Sequence, residues 1–200
     1  MKKVLAIMAF MLIAIQLQAQ DLDLLNRIKA INGQVKTFEA SLTNTLIKSK
    51  KTTSQQGKLY FVAPNEFAAT FDNEYMIVNE NKINMDMGMF DGTYRLRDGG
   101  ILKSLCHVFL YGFQGRLQDL ADENGYSLST KTENGYHIVT GTIIRKKLIG
   151  IGYKQVVFKY HADSLLLKEI VLCDYSGNLD IYSINSVKYD VAVDMVKFRF

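Results

Sequence analysis

The chain has 200 residues, with 24 Lys and Arg against 20 Asp and Glu. So small a basic surplus argues against nucleic acid or an anionic membrane as the main partner, because each of these needs a concentrated basic face. One Pro, 11 Tyr and 11 Phe, together with many Val and Ile, favour a fold rich in β-sheet.

The N-terminus has the pattern of a secretory signal peptide. Lys2 and Lys3 precede an uninterrupted apolar run over residues 4–15, and small Ala19 follows a few positions later. The apolar run is shorter than the roughly 20 residues that span a bilayer, and a small residue at its end is typical of a cleavage site. We therefore predict that residues 1–19 are removed. Residues 20–200 contain no Pro- or Ser-rich linker, so we expect one soluble exported domain.

The first half of this domain is predicted to be a helix followed by hairpins. A stripe of Leu24, Leu25, Ile28 and Ile31 predicts an amphipathic helix over residues 22–31. Alternating apolar residues from Phe38 to Leu42 then predict a half-buried strand. Further strands are expected at residues 57–63, 66–71, 75–78 and 83–89. Residues 48–56 are predicted to form a polar turn, and the charges around Asp91 and Arg95 are predicted to lie in a turn-rich loop.

A different pattern marks the middle of the chain. Residues 101–113 are apolar almost all round, and Leu117 and Leu120 extend them at helical spacing, so this helix must be buried or face something apolar. Strands are expected again at residues 126–131, 136–142, 155–161, 165–174, 178–189 and 195–200. The predicted fold class is α+β and mainly antiparallel β: an unclosed half β-barrel of about 10 to 11 strands, with an N-terminal helix and a central helical lid over an apolar cavity.

The sequence carries no catalytic or metal-binding motif that we recognise. His107, His137 and His161 are scattered, and no G-x-S-x-G, H-E-x-x-H or Cys-His signature occurs. Cys106 and Cys173 could form a disulfide in an oxidising compartment or remain as two buried thiols, and their positions in the sequence do not decide between these. We predict a protein that is not an enzyme and that uses no cofactor or metal.

Several segments, taken in order, resemble the LolA family of outer-membrane lipoprotein carriers. That family combines an N-terminal helix with an F-x-A-x-[FL]-x-Q strand, a G-x-L-[WY]-[FV]-x-x-P-x-x-[FL] hairpin and a V-D-x-x-x-F-x-F ending. The corresponding segments here are the helix at residues 22–31, Phe38-Glu39-Ala40-Ser41-Leu42, Gly57-Lys58-Leu59-Tyr60-Phe61-Val62-Ala63-Pro64-Asn65-Glu66-Phe67, and Val193-Asp194-Met195-Val196-Lys197-Phe198-Arg199-Phe200. Family carriers often have an Arg that holds the lid just before the hairpin Pro. This chain has Ala63 there, so its lid must be fastened differently or more weakly.

The resemblance implies a periplasmic carrier for the acyl chains of lipoproteins or of another lipid-bearing client. It further implies an inner-membrane ABC-type release complex as donor and an outer-membrane acceptor, with a monomeric carrier that binds no nucleic acid. If Ala63 points into the cavity, strand alternation sends Leu59 and Phe61 the same way. The predicted lipid-binding residues are Leu59, Phe61, Ala63, Phe67, Phe71, Met85, Met87, Leu105, Phe109, Leu110 and Phe113, with ordinary core packing as the alternative for each.

Other interpretations stay open at this stage. The flexible thioethers of Met85 and Met87 suit a site that accepts several acyl shapes. Copper is the less favoured alternative, because alternate residues of a strand lie roughly 6.6–7 Å apart. The alternative function is a periplasmic sensor of the same fold that binds lipoprotein and signals to a protein partner. An enzyme on this fold would need a polar cluster inside the cavity, and we expect none. A structural or adhesive surface protein would have no lidded cavity.

Overall fold

The computed structural model describes residues 21–49, 51–87, 90–96, 100–144 and 152–199. The predicted signal peptide lies outside these residues. The first helix, α1, covers residues 21–32 in the described range. The other helices are α2 (Ile101–Gln114) and α3 (Leu117–Asn124). The strands are β1 (Thr37–Lys48), β2 (Lys51–Val62), β3 (Glu66–Phe71), β4 (Tyr75–Asn79), β5 (Lys82–Met87), β6 (Phe90–Arg95), β7 (Tyr126–Glu133), β8 (Tyr136–Ile143), β9 (Tyr153–His161), β10 (Leu167–Asp174) and β11 (Leu179–Tyr189).

The eleven strands in the described ranges all belong to one sheet, in the order β6-β5-β4-β3-β2-β1-β11-β10-β9-β8-β7. Every neighbouring pair is antiparallel. The sheet begins at β6 and ends at β7, which are not hydrogen-bonded to each other, so it does not close into a barrel. The predicted fold class, an unclosed antiparallel half-barrel with helices, is therefore confirmed.

The core lies between one face of this sheet and the helices. Phe38, Ala40 and Leu42 of β1 are only 4%, 3% and 2% exposed, whereas the alternate residues carry hydroxyls and charges toward solvent. We call the face that carries Phe38 the concave face. Leu24, Leu25 and Ile28 of α1 are buried in the same core, as the predicted stripe requires, whereas Ile31, its fourth member, is 38% exposed. The period-two pattern of β1 thus decides which side of the sheet the helices cover.

The predicted polar turn at residues 48–56 is wrong. β1 runs to Lys48 and β2 begins at Lys51, and the pairing continues to Lys48 opposite Lys51. The physical reason is that this end of the hairpin has few buried side chains, so it shows no apolar alternation. Cross-strand polar pairs stabilise it instead: the Thr43 hydroxyl donates to Gln56 Oε1 at 3.0 Å, and the hydroxyls of Thr45 and Ser54 lie 2.9 Å apart.

Two other predicted segments also need correction. The stretch around Asp91 is not a loop but the edge strand β6, in which Tyr94 pairs with Ile83 of β5. The helix from residue 101 does not continue through Leu117, because Gly115 adopts a left-handed φ of 66° and ends α2. Its amide donates to the carbonyl of Gly112, and a new helix, α3, starts at Leu117.

The predicted last strand, residues 195–200, is wrong as well. Met195–Phe198 form a 3₁₀ helix, with the Asp194 side chain accepting from the Val196 amide at 3.0 Å. Phe198 is fully buried against β3 and β4, and Asn79 Nδ2 donates to its carbonyl at 3.1 Å. Alternating apolar residues resemble a strand here, but only one of them is buried in the part of this segment that the structure describes.

Among the described helices, none combines the length and apolarity that crossing a membrane would require.

Candidate functional site

Helix α2 lies across the concave face and is the lid of the half-barrel. No residue of Ile101–Gln114 is exposed, and Cys106 and all residues from Val108 to Gln114 are buried. The sheet covers one side of α2, and contacts with α3 cover part of the other. This position explains why the helix is apolar almost all round.

Aromatic rings from the lid interlock with aromatic rings from the sheet. The Phe113 centroid lies 5.4 Å from that of Phe38 and 5.5 Å from that of Phe61, both in edge-on geometry. Phe109 packs edge-on against Tyr182, with 4.9 Å between centroids, and lies 5.5 Å from Phe67. Such pairs add to the stabilisation from burial alone, by about 0.5–1.5 kcal/mol each. We call this lid–sheet interface the aromatic seam.

The aromatic seam contains almost no empty space. The cavity beside Phe109, lined also by Leu42, Leu59, Ala69 and Ile170, has a volume of about 10 Å³. A second cavity, between Phe38, Phe113 and Asn32, is equally small. Each is about the size of one water molecule. The apolar hollow of the half-barrel is therefore filled by the lid's own side chains in this state, and an acyl chain could enter only if the lid moved.

The predicted lipid-binding residues all lie on the concave face or on the lid. Strand pairing places Leu59 opposite Ala69 and Phe61 opposite Phe67. Met85 of β5 lies on the same face, where it is paired with Met76 of β4. The buried members of the predicted set are Leu59, Phe61, Phe67, Met85, Phe109, Leu110 and Phe113, and the partly buried members, packed against the same core, are Ala63, Phe71, Met87 and Leu105.

The lid is fastened to the sheet at its C-terminal end by two polar contacts that the sequence did not predict. Gln114, which is 8% exposed, donates from Nε2 to the carbonyl of Pro64 at 2.5 Å. The buried hydroxyl of Tyr160 on β9 donates to the carbonyl of Gly112 at 2.9 Å. Gln114 thus reaches the hairpin beside Ala63, where the family resemblance led us to expect an Arg. The only signal in the sequence was a single amide at the end of a largely apolar helix.

Polar side chains also connect α2 and α3 on their outer side. His107 Nδ1 of the lid lies 3.0 Å from Glu123 Oε2 of α3, and the Tyr111 hydroxyl donates to Glu123 Oε1 at 2.9 Å. Burial lowers the pKa of His107, against the opposing charge of Glu123. Burial and the bond to Glu123 raise the pKa of Tyr111 to about 12. Asp119 of α3 accepts from Arg116 at 2.6 Å, and this bond holds the pKa of that carboxyl below its ordinary value.

A polar cluster lies on the concave face, which corrects the expectation that the cavity would contain none. Asn44, only 6% exposed, donates from Nδ2 to Asp180, and the Tyr182 hydroxyl donates to the other oxygen of Asp180 at 2.8 Å. Gln55 Nε2 donates to Glu74 Oε2 at 2.6 Å. We call these five residues the polar cluster. The polar cluster could not be predicted from the sequence, because Asn44 continues the alternation of apolar residues after Leu42 and its partner Asp180 is distant along the chain.

The polar cluster consists of two amides, two carboxyl groups and one phenol. Its described hydrogen bonds join these groups to one another and to a backbone carbonyl, and none involves Ser, Thr, Cys or His. Cys106 and Cys173 are both buried free thiols, and they form no disulfide. Within the described ranges, no group of three or more His, Cys, Asp or Glu residues is arranged to hold a metal ion.

Comparison with known proteins shows similarity of fold. No protein-family model matches the chain, and no curated protein matches its sequence. Among solved structures, an uncharacterised conserved protein from Thermus thermophilus matches with a TM-score of 0.50 and 8% identity, over 90% of this chain and 94% of that one.

Two further similar structures have names related to lipoprotein sorting. A putative outer membrane lipoprotein-sorting protein domain from Vibrio parahaemolyticus matches with a TM-score of 0.47 and 10% identity, over 88% of this chain and 95% of that one. The LolA superfamily protein NE2245 from Nitrosomonas europaea matches with a TM-score of 0.43 and 7% identity, over 89% and 97%. LolA proteins are thus among the similar structures, as the sequence resemblance predicts. At these identities the likeness is one of fold alone.

Proposed function

We propose that this chain is a periplasmic carrier that binds the acyl chains of lipoproteins, or of a related lipid-bearing client, between its lid and the concave face of its sheet. The observation that carries the proposal is the aromatic seam. A helix without a single exposed residue rests on an apolar half-barrel, so moving the helix aside would open a continuous apolar surface to hydrocarbon.

The energetics favour an exchange of lid contacts for lipid contacts. Burying an acyl chain stabilises by about 0.8 kcal/mol for each CH₂ group, which is on the order of 10 kcal/mol for a long chain. Moving the lid exposes the side chains of the seam, such as Phe109 and Phe113, at about 1.5–3 kcal/mol each. Hydrocarbon that takes the place of the rings restores much of this loss on the sheet side. Binding therefore needs only a lid that can leave its closed position.

The two polar contacts at the end of the lid set the cost of this movement. Losing a hydrogen bond such as that from Gln114 to Pro64 costs about 0.5–1.5 kcal/mol, and more if the carbonyl stays unsatisfied. In place of a family Arg, the amide of Gln114 fastens the lid without a charge. We expect such a lid to open more readily than one held by an ion pair or a charged hydrogen bond.

The remaining parts of the proposal come from the sequence and the family resemblance. Residues 1–19 act as a cleaved signal peptide, and residues 20–200 form the carrier domain. The donor is an inner-membrane ABC-type release complex and the acceptor is at the outer membrane. The carrier acts as a monomer, by non-covalent transfer and without a cofactor.

The experiment uses the mature protein, purified from a two-membrane bacterial host and analysed for co-purified lipid by mass spectrometry. Delipidated protein is then titrated with a fluorescent alkyl probe that has an uncharged head. Gln114→Leu removes the fastening contact, and Gln118→Leu, on the exposed side of α3, is the matched control. A lid that opens more often raises the fraction of protein molecules that can bind the probe. We therefore expect Gln114→Leu to bind the probe about tenfold more tightly than wild type, and Gln118→Leu to bind it with wild-type affinity.

Two results would contradict the proposal. One is a delipidated wild-type protein that takes up no alkyl probe. The other is a Gln114→Leu protein that is folded, as judged by circular dichroism, and binds the probe no better than Gln118→Leu.

A further inference from the structure

The concave face changes from apolar to polar at the same level on three adjacent strands. On β1, Leu42 is followed two residues later by Asn44. Strand pairing places Asn44 opposite Gln55 of β2 on one side and opposite Tyr182 of β11 on the other. Asp180 lies one further step along β11, beyond Tyr182. A hydrocarbon chain that lies along β1 would therefore cover about 13 Å of apolar wall from Phe38 to Leu42 and would reach Asn44 about 20 Å from Phe38.

The hydrogen bonds of the polar cluster leave it rich in acceptors. Asp180 accepts from Asn44 and from the Tyr182 hydroxyl, one bond on each oxygen. An ionised carboxylate can accept about four hydrogen bonds, so capacity remains on both oxygens. Glu74 accepts from Gln55 on Oε2 alone among its described side-chain bonds. The donors of the cluster are thus already engaged, whereas several lone pairs are not.

The charge of the cluster is negative and only partly compensated. Asp180 is half-buried, and burial together with the charge of Glu74 holds the pKa of its carboxyl above the ordinary value, despite its two donors. Among the described residues, the charge of Lys48 acts on Asp180 in the opposite direction, and the Lys48 side chain is exposed at the end of β1. A positive group placed between Asp180 and Glu74 would stabilise both carboxylates.

We propose that the polar cluster binds the primary ammonium head of an amphiphile whose hydrocarbon tail replaces the lid's rings in the aromatic seam. This inference rests on the proposed function and names the class of client that the carrier prefers. An ammonium group offers three N–H donors and one positive charge, which match the free acceptors of Asp180 and Glu74. An anionic head at the same place would be repelled. A free amine on a lipid chain and the head of an aminophospholipid share the required chemistry.

The test compares amphiphiles that have one tail and different heads. Dodecylamine, dodecanol, dodecanoate and dodecyltrimethylammonium each compete with the fluorescent alkyl probe for the delipidated protein near neutral pH. Because hydrogen bonds to charged groups are the stronger ones, we expect dodecylamine to bind about tenfold or more tightly than dodecanol, and dodecanoate to bind most weakly. Dodecyltrimethylammonium keeps the charge but has no N–H donor, so we expect it to bind less tightly than dodecylamine. Lysophosphatidylethanolamine is added to distinguish an aminophospholipid from a free amine.

Two variants test whether the preference for dodecylamine over dodecanol arises at the polar cluster. Asp180→Asn keeps the shape of the side chain and removes its charge, so the preference for dodecylamine over dodecanol should fall to about twofold or less. Asp163→Asn, on the exposed turn between β9 and β10, is the matched control and should keep the wild-type preference. Glu74→Gln gives a second measurement at the same cluster, and the same reduction in preference is expected from it if Asp180→Asn does not fold.

The outcomes separate this inference from the proposed function. If dodecylamine, dodecanol and dodecanoate compete equally well, or if both cluster variants keep the wild-type preference, the proposed ammonium site is wrong. The carrier proposal is not affected by that result. If none of these amphiphiles displaces the probe and the probe itself does not bind, the carrier proposal fails first.

Discussion

Removing the ring of Phe109 would separate the contribution of the lid to stability from its proposed role in lipid uptake. Phe109 is 3% exposed, and its ring packs against Phe67, Phe113 and Tyr182. Phe109→Ala therefore deletes a fully packed aromatic residue, which costs about 3–5 kcal/mol of the free energy of unfolding. The cavity that remains lies inside the aromatic seam, where the 10 Å³ space beside Phe109 already exists. We expect the variant to bind the alkyl probe more tightly than wild type, because a hydrocarbon chain can fill the new space.

Phe198→Ala is the matched control, because it deletes the same side chain from a site away from the lid. Phe198 is fully buried against β3 and β4, where the C-terminal segment packs. Denaturant unfolding should show a similar loss of stability for the two variants, and probe titration should show tighter binding for Phe109→Ala alone. In saturating probe, ligand binding should return part of the lost stability to Phe109→Ala only. Equal probe affinity in the two variants, or weaker affinity in Phe109→Ala, would refute the reasoning that the seam is the lipid site.

Three further predictions follow from single contacts. A methyl group on Gly112 would meet the Phe158 ring at 2.8 Å, so Gly112→Ala should push the lid away from the sheet. We expect this variant to have a lower denaturation midpoint and faster probe uptake in stopped-flow mixing. Uptake kinetics identical to those of wild type would contradict this prediction. Burial raises the pKa of Asp180, so its folded form binds a proton more tightly than the unfolded chain. The free energy of unfolding should therefore fall as the pH rises from the ordinary value of 3.8 through the raised one, and Asp180→Asn should remove that fall in denaturant titrations at a series of pH values. Because Cys106 and Cys173 are buried thiols, a thiol reagent should label them only after denaturation, and rapid labelling of the native protein would contradict their burial.

The elements that sequence reasoning predicted correctly are those in which burial repeats with a regular period. Phe38, Ala40 and Leu42 alternate with polar residues, and the concave face could be assigned from them alone. The all-round apolar pattern of α2 likewise predicted a helix that is buried or faces something apolar, and no residue of α2 is exposed. Where one residue of a segment is buried and its neighbours are not, as at Phe198, the alternation suggested a strand that does not exist.

The polar contacts that fasten the lid and join β1 to β11 could not be predicted, because they connect residues that are far apart in the chain. Gln114 reaches Pro64 fifty positions earlier, and Asn44 reaches Asp180 across more than half of the sequence. The local pattern places Asn44 in the inward register of β1 and Gln114 at the end of an apolar helix, but it does not identify the partner of either residue. Only the sheet order, which places β1 beside β11, brings Asn44 and Asp180 together on one face.

The two kinds of contact that hold the lid have different consequences for a carrier. Apolar packing in the aromatic seam is non-directional, so a hydrocarbon chain can replace the rings of Phe109 and Phe113 at little net cost. The bonds from Gln114 to Pro64 and from Tyr160 to Gly112 are directional, and no hydrocarbon can replace them. In the proposed function, loading would therefore leave these partners unsatisfied or solvated, and closing would restore them. On this reasoning the apolar seam determines affinity for the tail, whereas the polar contacts favour return of the lid once a better acceptor for the lipid is present.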